Sequence, residues 1–473
     1  MAFSQLGVFT LKLNERVDEL KDDLISSTQK IVHVKSVQGE PKAGMPYGEG
    51  PYNALECALE ISRGLGFKTV NMDGQIGYAE YGKGEDYVAV LGHLDVVPEG
   101  DGWKYPPYAA EIHDGKMYGR GTLDDKGATM AALYGLKAIK DLNLPLSKRV
   151  RIIFGTNEET GSHEVEYYMK KEKAPVAGFT PDAQYPIIFA EKGIVSFDIV
   201  KDLKKQGYGD VTVKSIKGGL RSNMVPDYCE ALIEAKDIQK TTKFIEDYAK
   251  KTGFEIKVVT NGNTISIKSY GVGAHGSTPE LGKNAVMQMM ALLGELPIGE
   301  GDLRDYIDFV NKHIGFETDG KSFNVNLKDK ESGKLSFNVG VITMDKNQIR
   351  MILNLRYPVT FTFDDMMNPF KDTLKGSGIK VENVENQNPL YFPVDHPLIK
   401  TLQKVYTEQT GKEAELLAIG GGTYAKEMPN IVAFGPIFPG KPDLDHQVNE
   451  YMEVNDIIEN AKIYSHAIYE LAK

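Results

Sequence analysis

Two pairs of polar residues stand out because each directly follows a short apolar run. His93 and Asp95 come after Tyr87–Leu91, and Glu158 and Glu159 come after Val150–Phe154. Asp124, with Asp125 beside it, sits where a helical pattern begins. Imidazole and carboxylate are side chains that hold divalent cations, and a carboxylate left out of the ligand set can take a proton from water. Adjacent Glu158 and Glu159 suit that division, one as base and one as ligand. With no cation nearby the two would repel. The chemistry indicated is hydrolysis by a metal-activated water. Taken singly, His93 reads as a buried structural histidine, the Glu pair as solvated surface, and Asp124–Asp125 as a complement to a helix dipole. Their coincidence at element ends favours a site.

The elements that must position them follow from the pattern around them. Tyr87–Gly92 and Val150–Gly155 have the length and β-type composition of buried strands, and Asp124–Leu142 between them reads as a helix. Strand, helix, strand in that order predicts a parallel α/β layer, whose ligands bind beyond the carboxyl ends of the strands. Upstream, helical spacing covers Asn14–His33 and Tyr52–Leu65, the latter stopped by Gly66. After Ile187 the texture changes. Strands such as Thr264–Lys268 and Gln348–Arg356 alternate with helices such as Asn284–Leu296, as in an α+β insertion. A helix at Pro397–Gln409, a strand at Ile431–Phe434 and a final helix at Val454–Leu471 resume the first style. The predicted fold is α/β: a discontinuous catalytic domain, residues 1–189 and 391–473, with a mixed, mainly parallel sheet flanked by helices. Residues 190–390 form the inserted α+β domain. A chain of 473 residues exceeds what one hydrophobic core usually serves.

Five motifs in order carry a family resemblance. Gly92-His-Leu-Asp-Val-Val-Pro98, Tyr118-Gly-Arg-Gly-Thr-Leu-Asp-Asp-Lys-Gly127, Asn157-Glu-Glu-Thr-Gly161, Gly273-Ala-His-Gly-Ser-Thr-Pro279 and Gly420-Gly-Gly-Thr-Tyr424 together resemble the M20 metallopeptidases. The length and the long insertion are most similar to the PepV-type dipeptidases of bacteria, a monomeric branch. The resemblance implies two divalent ions per chain, zinc first, with manganese or cobalt also suited to so oxygen-rich a donor set. It implies that His93 and Asp182 bind one ion, that Glu159 and His446 bind the other, and that Asp124 bridges both. Glu158 would be the general base and later the proton donor to the leaving amine. Asp95 would hydrogen-bond the far nitrogen of His93. The insertion would act as a lid, with His275 stabilising the oxyanion and Asn223 contacting the same region. Arg356 would grip the substrate carboxylate, and the turn at Gly421, Gly422 and Thr423 would let backbone approach the substrate.

The implied activity is hydrolysis of short unblocked peptides, dipeptides first. An aminoacylase or N-acyl-amino-acid deacylase shares the same catalytic residues, and a metal-binding scaffold without catalysis would share the ligands but has no use for Glu158. Bulk properties exclude other classes. A net charge of -11 argues against a nucleic-acid surface. Cys57 and Cys229 form no CxxC pair and read as small buried side chains. The segment Met1–Val17 lacks the apolar core of a signal peptide, and no apolar run is long enough to span a bilayer. The strings around Gly82 and Gly299 do not match a phosphate loop. His113, His163, His313, His396 and His466 are assigned to structure or surface. A cytoplasmic monomer acting on small peptides, without nucleic-acid or membrane partners, is the expectation.

Overall fold

In the computed structural model the site is carried by a nine-stranded sheet, six of whose strands, in chain order, are β1 (Lys68–Met72), β2 (Ile76–Tyr81), β3 (Tyr87–His93), β4 (Arg149–Gly155), β5 (Ala177–Thr180) and β6 (Ile431–Ala433). The structure describes residues 2–205 and 207–473; Met1, where the N-terminal segment read above begins, lies outside them. Spatially the strands run β1-β2-β4-β3-β5-β6. β1 and β2 pair antiparallel with each other and β2 with β4, whereas β4, β3, β5 and β6 are mutually parallel. Every residue of β3 is buried. That burial on both faces is why its sequence is a continuous apolar run and not an alternation.

These six strands belong to a unit of residues 1–189, 392–417 and 423–473. The helix Lys126–Asp141 connects β3 to β4 and is buried from Lys126 through Leu136. It packs against the last helix, Val454–Ala472. Gly135 permits their close approach, since a Cβ there would lie 2.9 Å from the backbone nitrogen of Ser465. The N-terminal helical stretch is broken once, at Leu20, into Ala2–Glu19 and Lys21–Val32. The helix expected from Tyr52 runs Glu49–Gly64.

A second unit holds residues 190–391 and 418–422. Its eight-stranded sheet is antiparallel throughout. The order is Glu255–Asn261, Thr264–Tyr270, Tyr228–Ala235, Val211–Gly218, Ser336–Met344, Gln348–Tyr357, Gly193–Asp202, Lys380–Gln387. Alternating burial in Val211–Gly218 and Tyr228–Ala235 shows one face turned to a core. That core holds Ile233, Ile267, Met289 and Leu292, and Phe323 and Phe370 stack within it at 4.3 Å between centroids. Helix starts are fixed by side chains: Asn284 caps Ala285–Glu295, and Thr362 with Asp365 forms a capping box before Phe363–Leu374. The ends of the excursion lie side by side, because Ala190 pairs with Tyr391 and Glu191 with Leu390.

Candidate metal centre

Three adjacent parallel strands each deliver an acidic or imidazole side chain at the carboxyl end. His93 is the last residue of β3, Glu158 and Glu159 open a 3-10 turn just after β4, and Asp182 follows β5 by two residues. Asp124 arrives on the turn before the helix Lys126–Asp141, and His446 on the loop before the short strand Tyr451–Glu453. The five converge. His93 Nε2 lies 2.9 Å from Asp124 Oδ1 and 3.9 Å from Asp182 Oδ1. His446 Nε2 lies 3.2 Å from Asp124 Oδ2 and 3.0 Å from Glu159 Oε2. Asp124 therefore turns one oxygen to each imidazole, the arrangement a bridging carboxylate needs. One ligand atom from each of His93, Asp124 and Glu159 falls within 4.8 Å of the others.

The supporting contacts differ in two respects from the expectation. His93 Nδ1 is 3.1 Å from the backbone oxygen of Asp95 and 3.7 Å from its carboxylate, so the peptide carbonyl is the nearer acceptor. An Nδ1–H donated there leaves the Nε2 lone pair for a cation. The Asp95 carboxylate instead accepts the backbone N–H groups of Glu158 and Glu159, at 3.1 Å each. It thereby fixes the turn that carries Glu158 and Glu159. The second difference concerns the helix expected to start at Asp124. It starts at Lys126, and Asp125 occupies the cap position without capping it. The Asp125 carboxylate is drawn away because it accepts from His93 N at 3.2 Å and from Thr129 Oγ1 at 3.0 Å. Gly92 makes room for this; a Cβ there would sit 2.0 Å from Thr129 Oγ1. Beneath His93, the ring of Tyr424 packs edge-on at 5.9 Å and donates its hydroxyl proton to the buried Glu164. Asp125, Thr129, Glu164 and Tyr424 were not singled out from sequence, although Asp125 and Tyr424 stand inside two of the quoted motifs.

The electrostatics follow from burial and crowding. Burial pushes the carboxyls of Glu158, Glu159, Asp182 and Asp125 above their ordinary range. Burial acts on Asp124 in the same sense, but hydrogen bonds from His446 and His93 outweigh it and hold Asp124 low. His446 is pushed up to about 11 by Asp124 and Glu159. His93 is raised despite burial by Asp124, Asp182 and Asp95. Six carboxyl groups thus surround two imidazoles, and Glu159 Oε1 is buried without a hydrogen-bond partner among the described residues. Such a pocket draws positive charge, and its donor set fits divalent cations.

The other expected residues gather within the second unit. Asn223 and Arg356 line one cleft of about 620 Å³, together with Ser196, Arg221 and Asn354. Arg356 is 5% exposed, and no carboxylate among the described residues reaches its guanidinium. Its Nε donates to Asn354 Oδ1 at 2.9 Å and Nη1 to the Gly420 carbonyl at 3.2 Å. Burial alone brings it down to about 10. The segments bearing Asn223 and His275 are tied together, with Gly276 N donating to Asn223 O at 2.7 Å and Val225 N to Ala274 O at 2.9 Å. Nδ1 of His275 accepts the backbone N–H of Ser277 at 3.2 Å. A neutral His275 therefore carries its proton on Nε2, and burial together with Arg356 lowers its pKa, favouring that neutral form. Gly421 and Gly422 belong to this unit, whereas Thr423 belongs to the first, where its hydroxyl caps the turn Tyr424–Glu427.

Residues 89–470 match the profile of peptidase family M20/M25/M40. A Bacillus subtilis (strain 168) protein, provisionally named dipeptidase YtjP, is 41% identical over 457 residues, covering 96% of this chain and 98% of that one. A Staphylococcus haemolyticus (strain JCSC1435) protein, provisionally named dipeptidase SH1171, is 35% identical over 463 residues, covering 97% and 98%. Human carnosine dipeptidase 1 shares the fold, with a TM-score of 0.57 at 16% identity over 98% of each chain. No helix among the described residues is long and apolar enough to cross a membrane.

Proposed function

The chain belongs to peptidase family M20/M25/M40, and from that premise we propose that it is a metal-dependent dipeptidase that hydrolyses short, unblocked peptides. The observation that carries this reading is the convergence of His93, Asp124, Glu159, Asp182 and His446, with Glu158 held beside them. His93 and Asp182 would hold one cation, Glu159 and His446 a second, and Asp124 both. Two such cations, zinc first and manganese or cobalt in its place, supply Lewis acidity that lowers the pKa of a water and polarises the scissile carbonyl.

The protein's own groups do the rest. Glu158 takes the proton of the attacking water and passes it to the leaving amine. Its raised proton affinity, set first by burial, lets it hold that proton between the two steps. Asp95 keeps Glu158 in place through the backbone. His275 donates its Nε2 proton as a hydrogen bond to the carbonyl oxygen when charge develops there. Arg356, a buried cation with no acidic partner among the described residues, pairs with the peptide's terminal carboxylate, and Asn223 lines the same cleft.

The test compares a dipeptide with its N-acetylated form. Faster hydrolysis of the free dipeptide is expected. Faster hydrolysis of the blocked form would make the protein a deacylase of the same family.

A further inference from the structure

Glu450 lies four residues beyond His446 and is completely buried. Its carboxylate collects four donors from one segment. Oε1 accepts from Leu123 N at 2.8 Å and Asp124 N at 3.2 Å. Oε2 accepts from Gly121 N at 3.1 Å and from Arg120 Nη1 at 2.6 Å. The backbone carbonyl of Glu450 takes a fifth, from Gly119 N at 3.0 Å. Arg120, 2% exposed, extends its other terminal nitrogen to the carbonyl oxygen of His446 at 3.3 Å. One ion pair thus holds the peptide N–H of Asp124 and the peptide oxygen of His446, residues more than three hundred positions apart.

We propose that Glu450 and Arg120 are a positioning pair that sets Asp124 and His446 in register as joint ligands of one cation. The proposal rests on the metal reading given above. Three features favour it over a purely structural salt bridge. A buried ion pair contributes little net stability compared with apolar replacements, so its use here points to registry. The Asp124 N–H lies outside the following helix, and Glu450 is the acceptor it has. His446 has a φ of 63°, a left-handed conformation that only a few per cent of non-glycine residues adopt, and the Arg120 contact to its carbonyl holds the backbone there. The cation between Asp124, Glu159 and His446 would take two ligands set by this pair, whereas the one between His93, Asp182 and Asp124 would take a single such ligand and otherwise draw on residues at or just after the ends of β3 and β5. Outer contacts of this kind typically change metal affinity by about 10- to 100-fold.

The experiment titrates Zn²⁺ into metal-free full-length protein and reads the two dissociation constants by chelator competition, for wild type, Glu450→Gln and Arg120→Lys. In Glu450→Gln the amide oxygen would stay on Arg120 and Gly121, and the N–H₂ would face the N–H groups of Leu123 and Asp124, donor against donor. One constant should weaken about 10- to 100-fold and the other by several-fold less, with kcat lowered and KM for a dipeptide nearly unchanged. Arg120→Lys keeps the charge but loses one of its two contacts, and should shift the same constant in the same direction by less. Trp103, the only tryptophan, has its ring 5.4 Å from the Arg120 guanidinium, so its emission reports on the pair independently of turnover. Equal weakening of both constants, or no change in either, overturns the proposal. Should Glu450→Gln fail to fold, Arg120→Lys decides alone by the same criterion. Wild type that binds fewer than two ions would sink the metal reading as well; wild type that binds two while both variants match it would sink only the positioning pair.

Discussion

Arg356 offers the sharpest test of how substrate is held, because its free donors can be counted. A guanidinium carries five N–H groups. One goes to Asn354 and one to Gly420, which leaves three, enough for two parallel bonds to a carboxylate. A hydrogen bond to a charged group contributes about 1.5–3 kcal/mol, and 1.4 kcal/mol is a factor of ten. Replacing the terminal carboxylate of a dipeptide by its carboxamide gives up one of the two bonds and the charge. It should cost wild type about 3 kcal/mol, or roughly 150-fold in kcat/KM. In Arg356→Met the same change of substrate should cost less than about threefold, because the guanidinium that distinguishes acid from amide is gone. The variant also strips Asn354 and Gly420 of a donor, but that penalty falls on both substrates and cancels in the ratio. Steady-state assays of the four enzyme–substrate pairs complete the cycle. A preference for the acid that survives in Arg356→Met would place carboxylate recognition elsewhere and refute the reasoning.

Three further outcomes are expected. Glu158→Gln should lower kcat by about 10²- to 10⁴-fold while metal content by elemental analysis stays at the wild-type level, since it removes a base and no ligand; wild-type turnover would show the base to be another group. His446 titrates near 11 against an ordinary value of 6.5, so the stability that its imidazolium contributes to metal-free protein is fully present below pH 6.5 and is lost as pH rises toward 11. Thermal melts of chelated protein should therefore fall between pH 7 and pH 10 more steeply than those of a His446→Gln variant. Gly92→Ala would place a methyl group 2.0 Å from Thr129 Oγ1 and 2.7 Å from Asp125 Oδ2, and denaturant unfolding should show a loss of about 1–3 kcal/mol.

The parts of the site that sequence made visible are those tied to regular structure. His93, Glu158 and Glu159 were legible because buried parallel strands produce short apolar runs, and the residue that ends such a run has a known place. Asp182 and His446 sit in loops with no period to betray them and outside the five motifs, and only the family resemblance pointed there. The start of the helix after Asp124 was read two residues early because an acidic pair is the usual sign of a helix N-terminus. In the fold, the Asp125 carboxylate serves the His93 backbone instead. The break at Leu20 leaves no trace because neither glycine nor proline makes it. Leu20 N still donates to Arg16 and Val17 carbonyls, and the apolar spacing runs on through it. Asp95 shows a subtler gap: its type and position marked it as a neighbour of His93, but whether its carbonyl or its carboxylate is nearer depends on backbone geometry that spacing cannot specify.

The pairing of Ala190 with Tyr391 bears on how such a chain can fold at all. β5 and β6 are neighbours in the sheet, yet the whole intervening excursion separates them in sequence, and joining them from an unstructured loop of that length would be slow. Once the excursion has folded with Ala190 and Tyr391 side by side, the chain left to search shrinks to the stretches Thr180–Ala190 and Tyr391–Ile431. In that order of events the inserted unit would act as a staple, returning β6, and the C-terminal portion that carries His446, to the side of β5.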